Sequence, residues 1–286
     1  MQHLEDGNMS YKIIVDSCTD LTEEMKQDSH YKSVPLTLQV DETMIIDDET
    51  FNQKEFIRLV AESPNSPKSS CPSPEAYMDL YGGEEDVYVV TLSANLSGSY
   101  NSAELGKKLY LEENPHKNIE IINSCSASVG QTLIAKKIKE YVENGKAFQE
   151  IVTLIKEFNN HMQTKFVLEN LDTLRKSGRL TGLKAILTSV LNIKPVMGRT
   201  PDGQICKLDQ ARGIDKALML MTNMVKEDAY KPEERILGIA HCNNIDRAVY
   251  VKNEIMKKVP FKNFFIVDTA GVSTMYAGDG GIIISY

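Results

Sequence analysis

The sequence predicts an α/β fold made of two domains. Short apolar segments alternate with longer amphipathic segments, which is the pattern of strand–helix units around a parallel sheet. The chain has 286 residues, a length that suits one large domain or two of ordinary size. Hydrophobic residues make up 42% and charged residues 25%, as in soluble globular proteins. These proportions exclude a disordered or fibrous chain.

The first half of the chain shows this alternation clearly. Residues 86–92 (DVYVVTL) are rich in β-branched side chains, and residues 11–15 (YKIIV) form a similar apolar run. Asp20 and Glu23 resemble the D-x-x-E start of a helix. The predicted strands are 11–15, 34–40, 86–92 and 119–122. The other predicted helices are 54–62, 101–111, 132–143 and 147–161.

The second half follows Asn144-Gly145 and has a pattern of its own. The turn signal Pro201-Asp202-Gly203 predicts a hairpin between strands 193–197 and 205–208. Further predicted strands are 165–168, 235–240 and 264–268, and the chain ends on the apolar run 282–284. The predicted helices are 171–176, 183–191, 213–229 and 244–259. The predicted division is a disordered lead (1–10), an N-terminal α/β domain (11–160) and a C-terminal α/β domain (161–286).

Charge and composition narrow the class of function. The net charge of −8 is a poor electrostatic match for nucleic acid. The first residues (MQHLEDGNMS) lack the pattern of a signal peptide, and no apolar run approaches the roughly 18 residues that span a bilayer. We therefore expect a cytoplasmic protein without membrane insertion. The five cysteines are scattered and form no CxxC pair, which favours free thiols over a zinc site or a disulfide framework.

Hydroxyl side chains at the ends of predicted strands are the best candidates for a binding site. Asp16 and Ser17 follow the first strand, and the 69–74 loop (SSCPSP) presents Ser69 and Ser70 between stiffening prolines. In open α/β sheets, ligands bind beyond the carboxyl ends of the strands. The alternative interpretation is that these side chains only cap helices and form turns.

The segment 91–103 (TLSANLSGSYNSA) joins the strand at 86–92 to a helix. A helix N-terminus with a glycine and free backbone N–H groups attracts anions. Ser93 and Ser97 would add hydroxyl donors for a carboxylate or a phosphate. A plain N-cap would explain the same residues. Motifs for a nucleotide loop, a zinc protease or a nucleophile elbow do not occur in the sequence, and His241 alone among five histidines ends a predicted strand.

Taken in order, these loops resemble the DegV family of bacterial fatty-acid-binding proteins. The family's D-S-x-x-D-L motif matches residues 16–21, its T-S-Q-P-S loop matches 69–73, and its S-x-x-L-S-G-T-Y segment matches 93–100. Further matches are a D-[ST]-x-x-x-S-x-G run at 123–130, an E-N-L-x-x-L-x-x-G-G-R-I run at 169–180, and the segments 193–196 and 207–212. The resemblance extends from residue 11 to residue 286.

The resemblance implies a three-layer N-terminal domain around a parallel sheet and a two-layer C-terminal domain with a mixed sheet. Between them, a tunnel would hold one long-chain fatty acid, such as palmitate, stearate or oleate, with no metal or other cofactor. The implied carboxylate ligands are Ser69, Ser97, Gly98 and Tyr276, supported by Asp16, Ser17, Ser70 and Ser93. In this family the carrier performs no chemistry and presents the carboxylate to a separate fatty acid kinase. Arg179 and Arg212 would contact that kinase.

Several positions depart from the family pattern. Ser69 replaces the usual Thr, Cys71 the usual Gln, Asn123 an acidic residue, and Ser177 the first glycine of the G-G-R-I run. The usual H-x-G-P-G ending becomes residues 276–280 (YAGDG), so that Tyr276 stands at the histidine and Asp279 at the proline. Recognition of the head group therefore depends on whether Tyr276 points into the site.

Other interpretations remain open. A serine hydrolase would need a base beside Ser69 or Ser97, and a non-lipid anion would need a short polar pocket at Ser97. The residues expected to line an acyl tunnel are Leu168, Leu174, Leu183, Ile186, Leu187, Val190, Leu191 and Ile193, which would equally suit an ordinary core. We expect a monomer, since the sequence has no evident apolar surface stripe.

Overall fold

The computed structural model describes residues 10–180 and 192–286. The strands are β1 (Tyr11–Asp16), β2 (Tyr31–Val34), β3 (Thr37–Val40), β4 (Thr43–Ile46), β5 (Lys68–Ser70), β6 (Asp86–Thr91), β7 (Ile119–Asn123), β8 (Thr164–Val167), β9 (Ile193–Arg199), β10 (Ile205–Arg212), β11 (Ile236–His241), β12 (Asn263–Asp268) and β13 (Ile282–Ser285). The helices are α1 (Glu23–Gln27), α2 (Gln53–Glu62), α3 (Pro74–Met78), α4 (Ser99–Glu113), α5 (Val129–Glu143), α6 (Phe148–His161), α7 (Asp172–Lys176), α8 (Ile214–Asp228), α9 (Ile245–Met256) and α10 (Gly271–Ala277).

The N-terminal half contains a four-stranded sheet in the order β2-β1-β6-β7, and every pair in it is parallel. Its central strands β1 and β6 are mostly apolar and buried on both faces, as parallel sheets require, whereas the edge strand β2 exposes Lys32 and Ser33. One face packs against α5 and α6, and the other packs against α3 and α4. A second, antiparallel sheet of order β4-β3-β5 lies beside it.

The C-terminal half contains a six-stranded mixed sheet in the order β10-β9-β8-β13-β11-β12. Only β11 and β12 pair in parallel, while the other neighbours are antiparallel. Helices α8 and α9 cover one face through an apolar cluster around Met221 and Val251. Helix α5 contacts strands of both large sheets, so the two halves pack on one another along this helix.

The predicted α/β fold class, with its parallel sheet of four strands and a separate mixed sheet, is confirmed. The hairpin around Gly203 is also confirmed, since β9 and β10 pair antiparallel. The single strand predicted at 34–40 is wrong, because β2 ends at Val34 and β3 belongs to another sheet. The predicted helix at 183–191 and nearly all of the lead at 1–10 lie outside the described residues.

Two local features differ from the sequence prediction. Helix α1 is capped by the Thr22 side chain, which accepts a hydrogen bond from the Met25 N–H, and not by Asp20. Helix α10 and strand β4 are elements that no sequence signal indicates. Within the part of the chain that the structure describes, no helix combines the length and the apolar character needed to cross a bilayer.

Candidate ligand-binding site

A cavity of about 300 Å³ is the most promising binding site, at the lower end of the usual range for small-molecule sites. Its walls come from both halves of the chain and are mainly apolar. The apolar lining residues are Leu36, Leu92, Leu96, Ala127, Phe166, Leu168, Leu174, Ile205, Val272, Ala277 and Ile283. Of the residues expected to line an acyl tunnel, Leu168 and Leu174 line the cavity, Ile193 does not, and Leu183, Ile186, Leu187, Val190 and Leu191 lie outside the described residues.

A cluster of neutral hydrogen-bonding groups forms one part of the wall. We call Ser69, Ser97, Gly98 and Tyr276 the hydroxyl cluster, since three of its members carry hydroxyls and all four line the cavity. The Ser69 and Tyr276 hydroxyl oxygens are 3.2 Å apart. Cys71 links this pair to the start of α4, because a Cβ atom on Gly98 would lie 2.8 Å from the Cys71 Sγ. Residues far apart in sequence thus meet at one place.

The start of α4 brings a partial positive charge to this cluster. Gly98 is the N-cap residue and has no side chain to bond the free amides of the first turn. The Ser97 Oγ accepts a hydrogen bond from the Ser99 N–H at 3.2 Å and donates to the Ser99 Oγ at 3.3 Å. The amide groups at a helix N-terminus stabilise an anion nearby. A carboxylate placed here would meet hydroxyl groups and a helix terminus together.

Strand β8 and the residue after it form another part of the wall. Alternate side chains of an extended segment share a face, and Thr164 and Phe166 of β8 and Leu168 directly after it all line the cavity. From the first to the last is roughly 13 Å at about 3.3 Å per residue. The Thr164 Oγ1 lies 2.7 Å from the Ser126 Oγ and 3.0 Å from the Ser285 Oγ, so this stretch of wall is polar but internally hydrogen-bonded.

Arg199 is a cavity residue that sequence reasoning missed. Its guanidinium is largely buried and is held by oxygen acceptors, with Nη1 donating to the Cys125 carbonyl at 3.2 Å and to the Asn159 Oδ1 at 3.0 Å. Its Nε donates to the Met162 carbonyl at 3.1 Å. Burial lowers the pKa of Arg199 from its ordinary value. These bonds join the loop after β7, the end of α6 and β9.

Asp16 and Ser17 are buried in the protein and do not line the cavity. The Asp16 carboxylate accepts hydrogen bonds from the Leu92 N–H at 2.7 Å and from the Gln131 Nε2 at 2.8 Å. Burial raises the pKa of Asp16 to about 6, against the opposing effect of these bonds. The Ser17 Oγ accepts from the Leu36 N–H at 3.0 Å. Both residues therefore fix the loops that carry lining residues.

Of the other two supporting residues, Ser70 lines the cavity and Ser93 lies behind it. The Ser93 Oγ donates to the Gly203 carbonyl at 2.8 Å, which ties the loop before α4 to the β9–β10 turn. Gly203 has φ of +84°, and a Cβ atom there would lie 2.4 Å from the Ser93 Oγ. The glycine is required by the conformation of the turn and by this close approach.

The two arginines assigned to a kinase contact lie in different surroundings. Arg179 lines the cavity and is half-buried, with its Nε donating to the Leu96 carbonyl at 3.3 Å. Arg212 is the last residue of β10, is exposed and does not line the cavity. The structure therefore brings Arg179, but not Arg212, to the wall of the cavity.

No histidine occurs among the described residues that line the cavity. His241 ends β11, with its Nδ1 at 3.1 Å from the Asp268 Oδ1 and accepting from the Asn244 N–H at 3.2 Å. Burial lowers the pKa of His241, opposed by the charge of Asp268. A histidine base for Ser69 or Ser97 is therefore missing from this wall.

Comparison with known proteins identifies the family. The model of the DegV family matches residues 10–286, and the chain belongs to that family. A DegV domain-containing protein from Streptococcus gordonii is 34% identical over 280 residues, covering 97% of this chain and 99% of the relative.

Solved structures of relatives share the whole fold. A DegV-family protein from Ruminococcus gnavus, refined with vaccenic acid, is 50% identical, with a TM-score of 0.95 over 97% of this chain and 100% of its own. The fatty acid kinase B3 protein of Streptococcus pneumoniae, loaded with linoleic acid, is 30% identical, with a TM-score of 0.89 over 97% and 99%. The resemblance inferred from the sequence motifs is thereby confirmed.

Proposed function

We propose that this protein binds one long-chain fatty acid in the cavity, with its carboxylate at the hydroxyl cluster. The observation that carries the proposal is the cavity itself, where mainly apolar walls meet the Ser69–Tyr276 pair and the start of α4. The relatives refined with vaccenic acid and linoleic acid support it, since they share the fold over nearly the whole chain. Palmitate, stearate and oleate are the ligands we expect.

The physical chemistry of the site suits an acyl carboxylate. A carboxylate removed from water needs several donors, or it takes up a proton instead. Neutral hydroxyls and a helix N-terminus supply donors without the desolvation of a second buried ion. Each methylene transferred to an apolar wall contributes about 0.8 kcal/mol, so a long chain supplies on the order of 10 kcal/mol before opposing terms.

In this proposal the two halves of the chain form the two sides of a tunnel. Residues 11–160 contribute Ser69, Ser97 and Gly98, while residues 161–286 contribute the β8 wall and Tyr276. The ligand would therefore be enclosed by an N-terminal and a C-terminal domain. Ligand binding would draw the two domains together, since each supplies part of the contact surface.

The carrier role extends the proposal. The bound carboxylate would be presented to a separate kinase that forms an acyl phosphate, while this chain contributes no catalytic group. Arg179 is placed beside the start of α4 through its bond to Leu96, and the exposed Arg212 is free to meet a partner surface. A carboxylate held by hydroxyls rather than by a bidentate arginine remains available for transfer.

Two alternatives are less well supported. A serine hydrolase requires a base beside Ser69 or Ser97, and the described wall offers no histidine. A short polar metabolite would leave the walls around Phe166, Leu168 and Ile283 without an apolar partner. Turnover of acyl esters would favour the hydrolase, and tight binding of an organic phosphate would favour the polar ligand.

Displacement of a fluorescent fatty acid by oleate tests the proposal. Wild type should bind oleate at one site per chain. Ser97→Ala should weaken binding by about 1–2 kcal/mol, the worth of one hydrogen bond to a charged group. The matched control is Ser63→Ala, which removes a hydroxyl at the end of α2, away from the cavity lining. Equal affinity of both variants for oleate would remove Ser97 from the site.

A further inference from the structure

Helix α10 is held at its first turn by two buried carboxylates from the N-terminal half. The Asp47 Oδ1 accepts from the Gly271 N–H at 2.6 Å, and its Oδ2 accepts from the Val272 N–H at 2.9 Å. The Asp20 Oδ1 accepts from the Ala270 N–H at 2.7 Å. Asp20 and Asp47 are only 1% and 2% exposed. Together they satisfy three backbone donors at the start of one helix.

The same helix lines the ligand cavity along another face. Val272, Ser273, Tyr276 and Ala277 are all lining residues, and the Tyr276 hydroxyl reaches Ser69. Asp20 and Asp47 do not line that cavity; they line a separate cleft beside Thr269 and Ala270. Asp47 can therefore act on a ligand only through α10, whereas Asp20 also accepts a hydrogen bond from the hydroxyl of Ser128, a lining residue of the cavity.

The position of α10 must depend on such contacts. The helix has only seven residues, too few to be stable on its own. Asp47 approaches the first turn closely, since a Cβ atom on Gly271 would lie 2.4 Å from the Asp47 Oδ1. Gln53 makes a further contact near the start of this helix, because its Nε2 donates a hydrogen bond to the Thr269 carbonyl at 3.0 Å. Negative charge at a helix N-terminus adds a favourable electrostatic interaction.

We propose that Asp47 and Asp20 are positioning residues for the ligand site, which hold α10 so that Tyr276 stays against Ser69. The identity of the ligand in this inference rests on the proposed function. The positioning of α10 by the two carboxylates is independent of it. Both carboxylates come from the N-terminal half and α10 from the C-terminal half. The two carboxylates therefore couple the association of the two halves to the shape of the carboxylate end of the cavity.

Asp47→Asn tests the contact between Asp47 and the first turn of α10, with little change in side-chain size. The amide keeps one acceptor oxygen and turns its NH₂ group toward the second backbone donor, so one of the two bonds is lost. Oleate affinity should fall about five- to thirtyfold, the range that corresponds to one hydrogen bond to a charged group. Hydrogen exchange in residues 271–277 should accelerate, while exchange in β6 stays as in wild type. The matched control is Asp48→Asn, because Asp48 bonds only within its own loop to Thr50.

A double-mutant cycle with Tyr276→Phe separates positioning from general stability. If Asp47 acts through Tyr276, the two substitutions together should weaken oleate binding by clearly less than the product of their separate effects. Independent effects, or faster exchange spread over the whole chain, would overturn the proposal. If Asp47→Asn does not fold, Asp20→Asn enters the same cycle. Failure of wild type to bind oleate would contradict the proposed function, whereas unchanged exchange in residues 271–277 would contradict the hold on α10.

Discussion

The hydroxyls of Ser69 and Tyr276 lie 3.2 Å apart, although the two residues come from opposite halves of the chain. Ser69 lies on β5 and Tyr276 on α10, and both line the same cavity. The resemblance of the sequence motifs implies a histidine at this position. The phenol of Tyr276 supplies a hydrogen-bonding group where that resemblance implies an imidazole.

Tyr276→Phe should weaken fatty-acid binding by about 1 kcal/mol, since it removes one hydroxyl from the carboxylate end and keeps the ring. Tyr276→His should retain more of the affinity, because the imidazole also donates a hydrogen bond. Isothermal titration with oleate measures both. Full affinity in the phenylalanine variant would show that the phenol does not contact the carboxylate.

Arg212→Ala should impair transfer but not binding. Arg212 is exposed at the end of β10 and outside the cavity lining, so its loss should leave oleate affinity unchanged. Acyl-phosphate formation, measured with ATP and the catalytic subunit of a fatty acid kinase, should fall several-fold. Arg58→Ala, which removes an exposed arginine from α2, is the matched control. An equal loss of binding and transfer would place Arg212 in the pocket or the fold.

Gly203→Ala should destabilise the protein by about 1–3 kcal/mol. The new Cβ atom would lie 2.4 Å from the Ser93 Oγ and 2.6 Å from the Cys125 Cα, at a residue with φ of +84°. Gly145→Ala is the matched control, since Gly145 has φ of +71° but a Cβ atom there would have no neighbour within 4 Å. Urea denaturation of both variants measures the difference. Equal losses would mean that the close packing behind the cavity adds nothing beyond backbone strain.

The buried carboxyl groups of Asp20 and Asp47 should make the free energy of unfolding decrease as the pH rises from about 4 to about 7. Burial raises the pKa of Asp20 to about 7 and the pKa of Asp47 to about 6. Between the unfolded value near 3.8 and these values, the folded chain holds more protons than the unfolded chain, so the free energy of unfolding decreases with pH.

Asp20→Asn isolates this contribution. The free energy of unfolding is compared at about pH 4.5 and about pH 7.5, which lie on either side of those pKa values. The decrease between the two pH values should be smaller in the variant than in wild type by more than about 1 kcal/mol, since a one-unit pKa shift corresponds to about 1.4 kcal/mol. Urea denaturation at each pH supplies the values. Parallel pH profiles for wild type and variant would mean that Asp20 titrates in the folded protein much as it does in the unfolded chain.

Local sequence signals predicted most of the fold. The β-branched run 86–92 was sufficient to predict strand β6, and the turn at Gly203 was sufficient to predict the β9–β10 hairpin, because each of these elements carries its own local signal. The prediction of a single strand at 34–40 was wrong, since Pro35 interrupts this run and β3, which follows it, belongs to a different sheet. Helix α10 (GVSTMYA) consists mainly of small and β-branched residues, and the Asp47 carboxylate that accepts hydrogen bonds from its first amides lies more than 200 positions earlier.

The site was predictable only in part. Motif order pointed to Ser69, Ser70, Ser97, Gly98, Tyr276 and Arg179, and all of them line the cavity. Their roles toward a ligand remain predictions. Arg199 and Asp47 could not be found, because each acts through long-range bonds that leave no local pattern.

The most direct test is native mass spectrometry of the purified protein, followed by solvent extraction and identification of the released compound. We expect a stoichiometric complex whose mass excess is one long-chain fatty acid, which dissociates to apoprotein and rebinds oleate or palmitate. A protein that is purified without ligand and also fails to bind added oleate and palmitate would contradict fatty-acid binding. In that case the start of α4 at Ser97 would have to serve a polar anion.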